Sequence, residues 1–532
     1  MPPRTNVHHG RPRRQVPAFK RCAWRFACPR CRRPHARVGG LNQQGTPVED
    51  SELAYLSAAE QGRLIRSRKL SPVELVQHSL ARIERYDPVL RAYITVCAEA
   101  ALAAAREAET EIGRGRYRGP LHGLPFGVKD QLCTRGIKNT LGSRIFADHI
   151  PDHDATVITR LRNAGAILIG KENLHEFGKG GTHVFYHGQP RNPWDIARTP
   201  SSSSSGSGIA PAAGFSSGSI GEDTGGSIRG PAAANGVVGL RPTFGRVSRH
   251  GGLMYAWTAD TLGPLTRTVE DNALFLQAIA GYDERDPLTS RREVPAYGAA
   301  LGKDLKGMRL AVVTEMTWPD GVHPEVRAAM KSAIDVLRSL GATVGEISLP
   351  WAKHAIPLGM LTSDADVASM YVPLLRSRWA EFDAGTRSRM ATAAMVPAAV
   401  YSRAMRARAV VRNQILAAFE HYDALLCPTS LKPAGLIDEA REVVRSAEDL
   451  AQRIILRRIS THPFGVANVP TLAVPAGFTK AGLPLSLQIA GKPFAEATIY
   501  RVGHAYEQAT PWHTRHPALT ETTRVLENGV TS

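Results

Sequence analysis

Short apolar runs alternate with helix-like segments along most of the chain, from about residue 119 onward. Segment 154–173 is predicted to form a helix that stops at Gly165 and continues as a strand. Segment 308–350 repeats the order strand, helix, strand, and the apolar run 422–430 is typical of a buried strand. Because strands that alternate with helices favour a sheet with helices on both faces, we predict an α/β fold.

Two helices are predicted ahead of this region, and a helical insertion is predicted within it. The first helix begins after Ser71, which suits an N-cap, with Pro72 at the first helical position and Glu74 completing a capping box. A second, alanine-rich helix is predicted over 99–112. Residues 352–460 are predicted to be a helical insertion that covers the sheet and forms the wall of a substrate site.

The positive charge of the chain is concentrated at one end. The formal net charge is +18, and residues 1–45 hold 11 Lys and Arg side chains and no Asp or Glu. The other 487 residues hold 55 basic and 48 acidic side chains, so the body is only mildly basic. We predict a basic, disordered extension over 1–48 and one large domain over 49–525, with nucleic acid not expected as a partner.

Cysteine usage and hydropathy indicate a cytoplasmic protein without a membrane span. Cys28 and Cys31, with His35 nearby, lack the second ligand pair of a structural zinc site. No run of 18 apolar residues occurs, so no transmembrane helix is expected. Three further cysteines lie singly in apolar surroundings and are expected to be reduced core residues: Cys97, Cys133 and Cys427.

Several common catalytic motifs do not occur. The chain contains neither a phosphate-binding G-x-x-x-x-G-K-[ST] loop nor a dinucleotide-binding G-x-G-x-x-G turn after a strand. It also contains neither an H-E-x-x-H metal motif nor a G-x-S-x-G nucleophile turn. The sequence therefore gives no support for a phosphate loop, a dinucleotide site or an α/β-hydrolase.

The serine-rich stretch 201–231, SSSSSGSGIAPAAGFSSGSIGEDTGGSIRGP, resembles a flexible linker in composition alone. Its flanks are apolar, so a linker there would bury unpaired backbone groups. Within it, Thr224-Gly225-Gly226-Ser227 offers consecutive N–H groups beside a hydroxyl, as an oxyanion hole requires.

A serine nucleophile also needs a base, and Lys129 is the candidate. It follows a short apolar run in the segment FGVKD. Burial favours the neutral form of a lysine, and a neutral amine can accept a proton. Taken alone, a lysine near a strand end is more often paired or at the surface.

The motifs GVKD, SSSSGSG, GEDTGGSIRGPAAANGVVGLRPTFGRVSR and LGPLTRTVED together resemble those of the amidase signature family. The resemblance runs from about residue 50 to residue 515 and includes GKENLHEF and GLPLSLQIAG. It implies one mixed, mostly parallel sheet of about ten or eleven strands covered by helices, with neither metal nor cofactor.

The resemblance also implies a Ser–cisSer–Lys catalytic set. Ser227 corresponds to the nucleophile, Ser203, 24 residues upstream, to the bridging serine, and Lys129 to the base. The oxyanion hole falls on Thr224, Gly225 and Gly226, together with the amide of Ser227.

Several neighbouring residues are interpreted separately. Asp223 and Arg229 are expected to brace the nucleophile loop, and Glu176, with His175, is a candidate for the pocket wall. The chain departs from the family at Ser201 and Ser202, where glycines are usual, and at Glu222, where Thr or Ser is usual. If Glu222 lies close to the lysine, it favours the charged amine and opposes its role as base.

The predicted function is hydrolysis of a C–N amide bond in a small carboxamide, aryl amide or carbamate, with ester or urethane cleavage as a side activity. The alanine- and methionine-rich insertion favours an apolar or aryl amide. The partner is then a small molecule, and a homodimer is left open. Two alternatives remain: the A subunit of a glutamyl/aspartyl-tRNA amidotransferase, which needs a partner and glutamine, and a nucleic-acid-binding protein acting through the basic segment.

Overall fold

A single sheet carries the fold. The computed structural model describes residues 50–179, 185–253, 256–437 and 445–520, and the basic segment 1–48 lies outside them, with its cysteines. The described strands are β1 Tyr93–Val96, β2 Pro125–Lys129, β3 Ile167–Glu172, β4 Gly218–Asp223, β5 Val238–Arg241, β6 Thr261–Thr266, β7 Arg309–Val313, β8 Thr343–Ile347, β9 Ala424–Pro428, β10 Thr471–Phe478 and β11 Pro484–Gly491. They form one eleven-stranded sheet, which confirms the predicted number, and their order is β1-β3-β2-β4-β6-β5-β10-β11-β9-β7-β8.

Helices cover this sheet. They are α1 Asp50–Tyr55, α2 Ala58–Arg66, α3 Pro72–Leu90, α4 Ala98–Gly113, α5 Thr156–Asn163, α6 Ser205–Ala212, α7 Arg229–Asn235, α8 Val269–Ile279, α9 Thr314–Thr317, α10 Pro324–Ser339, α11 Ala355–Ser377, α12 Ala384–Ala394, α13 Ala398–His421, α14 Ala447–Arg458, α15 His462–Ala467 and α16 Glu496–Gln508. The predicted start of α3 is confirmed, because Ser71 caps it and forms the capping box with Glu74. The predicted helix 99–112 is α4, and the predicted orders around 154–173 and 308–350 are also found.

The sheet is mixed, but the predicted predominance of parallel pairs is wrong. Parallel pairs join β2 to β3 and β4, and β7 to β8 and β9. The other six pairs among the described strands are antiparallel. The reason is local in part: β10 and β11 are joined by the short turn 479–483, which permits only an antiparallel neighbour.

The segment 352–460 is not wholly a cover for the sheet. Helices α11 to α14 lie in it, but β9 lies in it too and pairs with β11 and β7 inside the sheet. The domain limits 49–525 and the role of this segment as an insertion therefore stay predictions.

The central strands β2, β3 and β4 are buried and end in the charged residues Lys129, Glu172 and Asp223. Every residue of β2, β3 and β4 is buried.

Cys97, Cys133 and Cys427 are buried free thiols, as expected. None of the described helices has the length and apolar character needed to cross a membrane.

Candidate active site

Two neighbouring parallel strands bring the site together. β2 ends at Lys129 and β4 ends at Asp223, with Val128 paired to Ile220. Because the two strands run in the same direction, their carboxyl ends meet at one edge of the sheet. The loop 224–228 leaves β4 at this edge and leads directly into α7.

Lys129 is fully buried at this edge and has two side-chain partners. Its Nζ lies 2.7 Å from Ser203 Oγ and 2.9 Å from Glu222 Oε2, with the main-chain carbonyl oxygen of Glu222 at 3.5 Å. The peptide bond between Ser202 and Ser203 is cis. The structure thus brings Lys129 and Ser203 together, and it places the unusual Glu222 against the same amine.

The nucleophile loop borders the same cavity. The amide of Ser204 donates to the carbonyl oxygen of Ser227 at 3.2 Å, which ties the segment after Ser203 to the loop. A cavity of about 520 Å³ opens there. The predicted residues that line it are Ser203, Thr224, Gly225, Gly226 and Ser227.

Asp223 holds the nucleophile loop from inside the protein. Its carboxylate accepts from the amides of Gly226 at 2.8 Å and Ile228 at 3.1 Å. It also accepts two contacts of 3.0 Å from Arg229 and lies 3.3 Å from Arg241. Burial alone would raise the pKa of Asp223, but the two arginines outweigh it and hold the pKa well below its usual range. This geometry supports the bracing role predicted for Asp223 and Arg229.

The amides of the loop are not equivalent. The Gly226 amide is engaged by Asp223. The amides of Thr224, Gly225 and Ser227 have no hydrogen-bond partner among the described residues. Any oxyanion site at this loop would therefore use these three amides more readily than that of Gly226.

Glu222 belongs to a second cluster of polar groups beneath the lysine. Thr224 Oγ1 lies 2.9 Å from Glu222 Oε1 and 2.7 Å from Asp260 Oδ1. A hydroxyl has one proton, so both contacts are hydrogen bonds only when one of the two carboxyl groups is protonated. Burial raises the pKa of Glu222 to about 7, although Lys129 lowers it.

The two candidates for the pocket wall differ in position. His175 lines the cavity, but Glu176 is not among its lining residues. Glu176 is buried and accepts from Ser143 Oγ at 2.7 Å and from the amide of Asp383 at 2.9 Å. It therefore joins the start of α12 to the connection between β2 and β3, which is a structural contact.

Sequence reasoning missed two residues that support the loop from the C-terminal side. Thr461 Oγ1 donates to the carbonyl oxygen of Gly225 at 2.8 Å. The ring of His462 packs so closely that a Cβ at Gly225 would come within 2.7 Å of it. Burial and the charge of Arg458 lower the pKa of His462 well below its usual value. Nothing in the sequence around 461–462 distinguishes these residues from an ordinary helix start.

Cationic side chains also line the cavity, which the apolar composition of the insertion did not predict. Five arginines and two lysines face it: Arg389, Arg408, Arg453, Arg457, Arg458, Lys179 and Lys432. The sequence signal that could have indicated these cations is the arginine pair at 457–458. It ends α14 and comes shortly before Thr461 and His462, which support the nucleophile loop. The expectation of an apolar wall is therefore wrong for this face.

Comparison with a protein-family model gives a match over most of the chain. The model described as Amidase matches residues 74–500. Among curated proteins, the A subunit of the glutamyl-tRNA(Gln) amidotransferase of Chloroflexus aggregans is 40% identical over 493 residues, covering 88% of this chain and 99% of the relative. The protein of the same name from Moorella thermoacetica is 39% identical with the same coverage.

Solved structures are also similar to this chain over most of its length. The native peptide amidase from Stenotrophomonas maltophilia has a TM-score of 0.74 at 31% identity, covering 87% of this chain and 98% of that one. A structure described as a vestigial protein complex that reveals the origins of an s-triazine catabolic enzyme has a TM-score of 0.79 at 31% identity, covering 85% and 98%.

Proposed function

Because the chain belongs to the amidase family, we propose that it hydrolyses a C–N amide bond through an acyl-enzyme on Ser227. The observation that carries this proposal is the 2.7 Å contact between Lys129 and Ser203 at the edge of the cavity that Ser227 lines. A buried amine beside a hydroxyl is the proton acceptor that a serine nucleophile needs.

The proton follows a relay in both half-reactions. As Ser227 Oγ attacks the amide carbon, its proton passes to Ser203 Oγ, and the proton of Ser203 passes to neutral Lys129 Nζ. The relay then returns a proton to the leaving nitrogen, the C–N bond breaks, and the acyl group remains on Ser227. Water gives its proton to the same relay, attacks the ester carbon and releases the acid.

The amides of Thr224, Gly225 and Ser227 stabilise the oxyanion in each tetrahedral intermediate. Their lack of a partner among the described residues supports this assignment. Preorganised donors of this kind are worth roughly 10²–10³ in kcat each. Gly226 serves the loop instead, with its amide bonded to Asp223.

Replacing Glu222 with glutamine is expected to move the acidic limb of the kcat/KM profile to lower pH, by about one to three pH units. In the wild type, ionisation of Glu222 near its raised pKa of about 7 places a carboxylate 2.9 Å from Lys129 and stabilises the protonated amine. The amide removes this charge, so no carboxylate opposes proton transfer through the relay at the acidic end of the profile.

The measurement is kcat/KM from pH 5 to pH 10 on one amide substrate. Glu176→Gln is the matched control, because Glu176 is another buried carboxyl whose pKa burial raises, yet it bonds Ser143 and the amide of Asp383 rather than Lys129. An acidic limb that stays in place would show that Glu222 does not govern the base. Loss of activity at every pH would show that Glu222 itself carries the proton.

A second candidate function rests on the curated relatives. Those reported above are the A subunits of amidotransferases, which match this chain over nearly their whole length. On this alternative the same serine would release ammonia from glutamine, and a partner protein would complete the reaction. The two functions share the relay and differ in substrate and partner.

The deciding experiment uses the purified chain alone. We expect it to release ammonia or amine from at least one member of a panel of carboxamides, anilides, carbamates and glutamine. We also expect a fluorophosphonate to label Ser227, as located by peptide mass spectrometry. Hydrolysis of glutamine only, and only with an added partner, would favour the amidotransferase function, and labelling at another serine would contradict the assigned nucleophile.

A further inference from the structure

The charges around the cavity are strongly one-sided. Five arginines and two lysines line it, and the described lining residues include no Asp or Glu. A cation held in a partly desolvated wall costs free energy unless an anion faces it. The question is which of these cations already have a partner in the protein.

Several of the cations are neutralised from behind. Asp364 bridges Lys179 at 3.3 Å and Arg389 at 2.7 Å, so one carboxylate serves two cations. Arg453 pairs with Asp449 at 2.8 Å.

Arg408 is held mainly by neutral groups. It contacts Thr258 Oγ1 at 2.6 Å and the carbonyl oxygen of Thr258 at 3.4 Å. Asp366 adds an attractive charge near it. These residues form a wall that is fixed by the protein itself.

Arg457 and Arg458 differ from these four cations, and among the lining cations only the exposed Lys432 shares their lack of a salt-bridge partner in the described part of the chain. Neither has a carboxylate within salt-bridge distance among the described residues, and the side-chain contact of Arg458 is with His462 Nε2 at 3.3 Å. Desolvation and the like charges of Arg389 and Arg457 lower the pKa of Arg458 to about 9. Desolvation and Arg389 likewise lower the pKa of Arg457. Both remain cations at neutral pH, and Arg457 is exposed whereas Arg458 is half-buried.

Arg458 lies close to the nucleophile loop, and its neighbour Arg457 lines the same cavity. The ring of His462 reaches both Arg458 and Gly225, because its Nε2 lies 3.3 Å from the Arg458 guanidinium and would lie 2.8 Å from a Cβ at Gly225. An anion bound by the arginine pair would therefore be separated from the nucleophile loop by only a short spacer. This arrangement suits a small substrate that carries both groups on one chain.

We propose that the substrate is a short amide that carries a carboxylate, and that Arg457 and Arg458 bind this carboxylate. The proposal rests on the proposed amide hydrolysis at Ser227 and names its substrate class. Guanidinium groups suit a carboxylate because their planar N–H donors match its two oxygens. The described wall offers no carboxylate for an ammonium group, so a net anionic substrate fits it better than zwitterionic glutamine.

The test compares short amides that differ in charge. Succinamate carries the carboxylate, 4-oxopentanamide replaces it with a neutral ketone of similar size, and glutamine adds one carbon that bears an ammonium group. We expect wild-type kcat/KM for succinamate to exceed that of the other two by at least about tenfold. We expect Arg457→Gln to lower the succinamate to oxopentanamide ratio by about 10- to 100-fold, chiefly through KM.

Two further variants separate charge from folding. Arg458→Lys keeps a cation beside His462 and should retain more of the selectivity than Arg458→Gln. Arg403→Gln removes an exposed arginine of α13 that does not line the cavity, and it should leave the ratio unchanged. A ratio that Arg457→Gln does not alter, with neutral amides still hydrolysed, would overturn the substrate class and leave the proposed function standing.

Binding supplies a readout that does not depend on turnover. Calorimetry of succinate with the wild type and with Arg457→Gln should show binding that weakens by about tenfold or more in the variant. Absence of succinate binding to the wild type would overturn the anion site. Succinate binding without Ser227-dependent hydrolysis of any amide would instead overturn the proposed function and retain the anion site.

Discussion

Ser227→Ala is expected to lower kcat/KM for the best amide substrate by at least about 10⁴-fold, because no acyl-enzyme can form without the hydroxyl. The loop should keep its shape, since Asp223 and not the Ser227 side chain holds it. Substrate binding should therefore change little while turnover is lost. Initial rates and the affinity for a product acid measure the two effects separately.

Ser216→Ala is the matched control for this loss. Ser216 is a buried serine of the same serine-rich stretch, but it does not line the cavity. Its variant should retain activity and fluorophosphonate labelling, and Ser227→Ala should lose both. Wild-type hydrolysis by Ser227→Ala would make the central assignment wrong.

Lys129→Met tests the base in the same assay. Methionine fills a similar volume without an amine, so acylation should slow by about 10²–10⁴-fold, the range for loss of a general base. Labelling of Ser227 by the fluorophosphonate should slow in parallel. Unchanged labelling would show that Ser203 and Ser227 are activated by another group.

Part of this site could be predicted from the sequence because its key residues are adjacent in local motifs. Lys129 ends an apolar strand, and Ser203 and Ser227 lie 24 residues apart in one unusual stretch. The structure brings Lys129 and Ser203 into contact and gives the two serines one cavity, although the cavity itself was not visible in the sequence. The capping box at Ser71 was equally predictable, because it depends on four consecutive residues.

The order and direction of the strands were harder to predict because they depend on contacts distant in the chain. β5 pairs with β10, more than 200 residues later, and no local pattern encodes that choice. The arginines that line the cavity were hard to predict for the same reason, since Arg389 and Arg457 come from different helices. Composition is an average over all faces of a helix. The alanine-rich composition of this segment therefore predicted an apolar cavity wall, although several of the side chains that line the cavity are arginines.

Asp223→Asn is expected to lower the free energy of unfolding by about 3–5 kcal/mol, the usual cost of removing one partner from a buried ion pair. Arg229 and Arg241 are fully buried, and both depend on this carboxylate. The amides of Gly226 and Ile228 lose their charged acceptor as well, so the loop should also loosen. A shift of about 1 Å in that loop would cost roughly 10² in kcat/KM.

The stabilisation by Asp223 is expected to depend on pH in a definite direction. The pKa of Asp223 is held well below its usual range, so its contribution is present above about pH 4 and is lost as the pH falls further. Urea unfolding should therefore separate wild type and variant at pH 7 and bring them closer in acid. Glu381→Gln, in an exposed pair with Arg378, should leave stability nearly unchanged, because solvent screens such a pair. A similarly small effect of Asp223→Asn would mean that Arg229 and Arg241 do not need the carboxylate, and the loop would then be held by its glycines and by Thr461 instead.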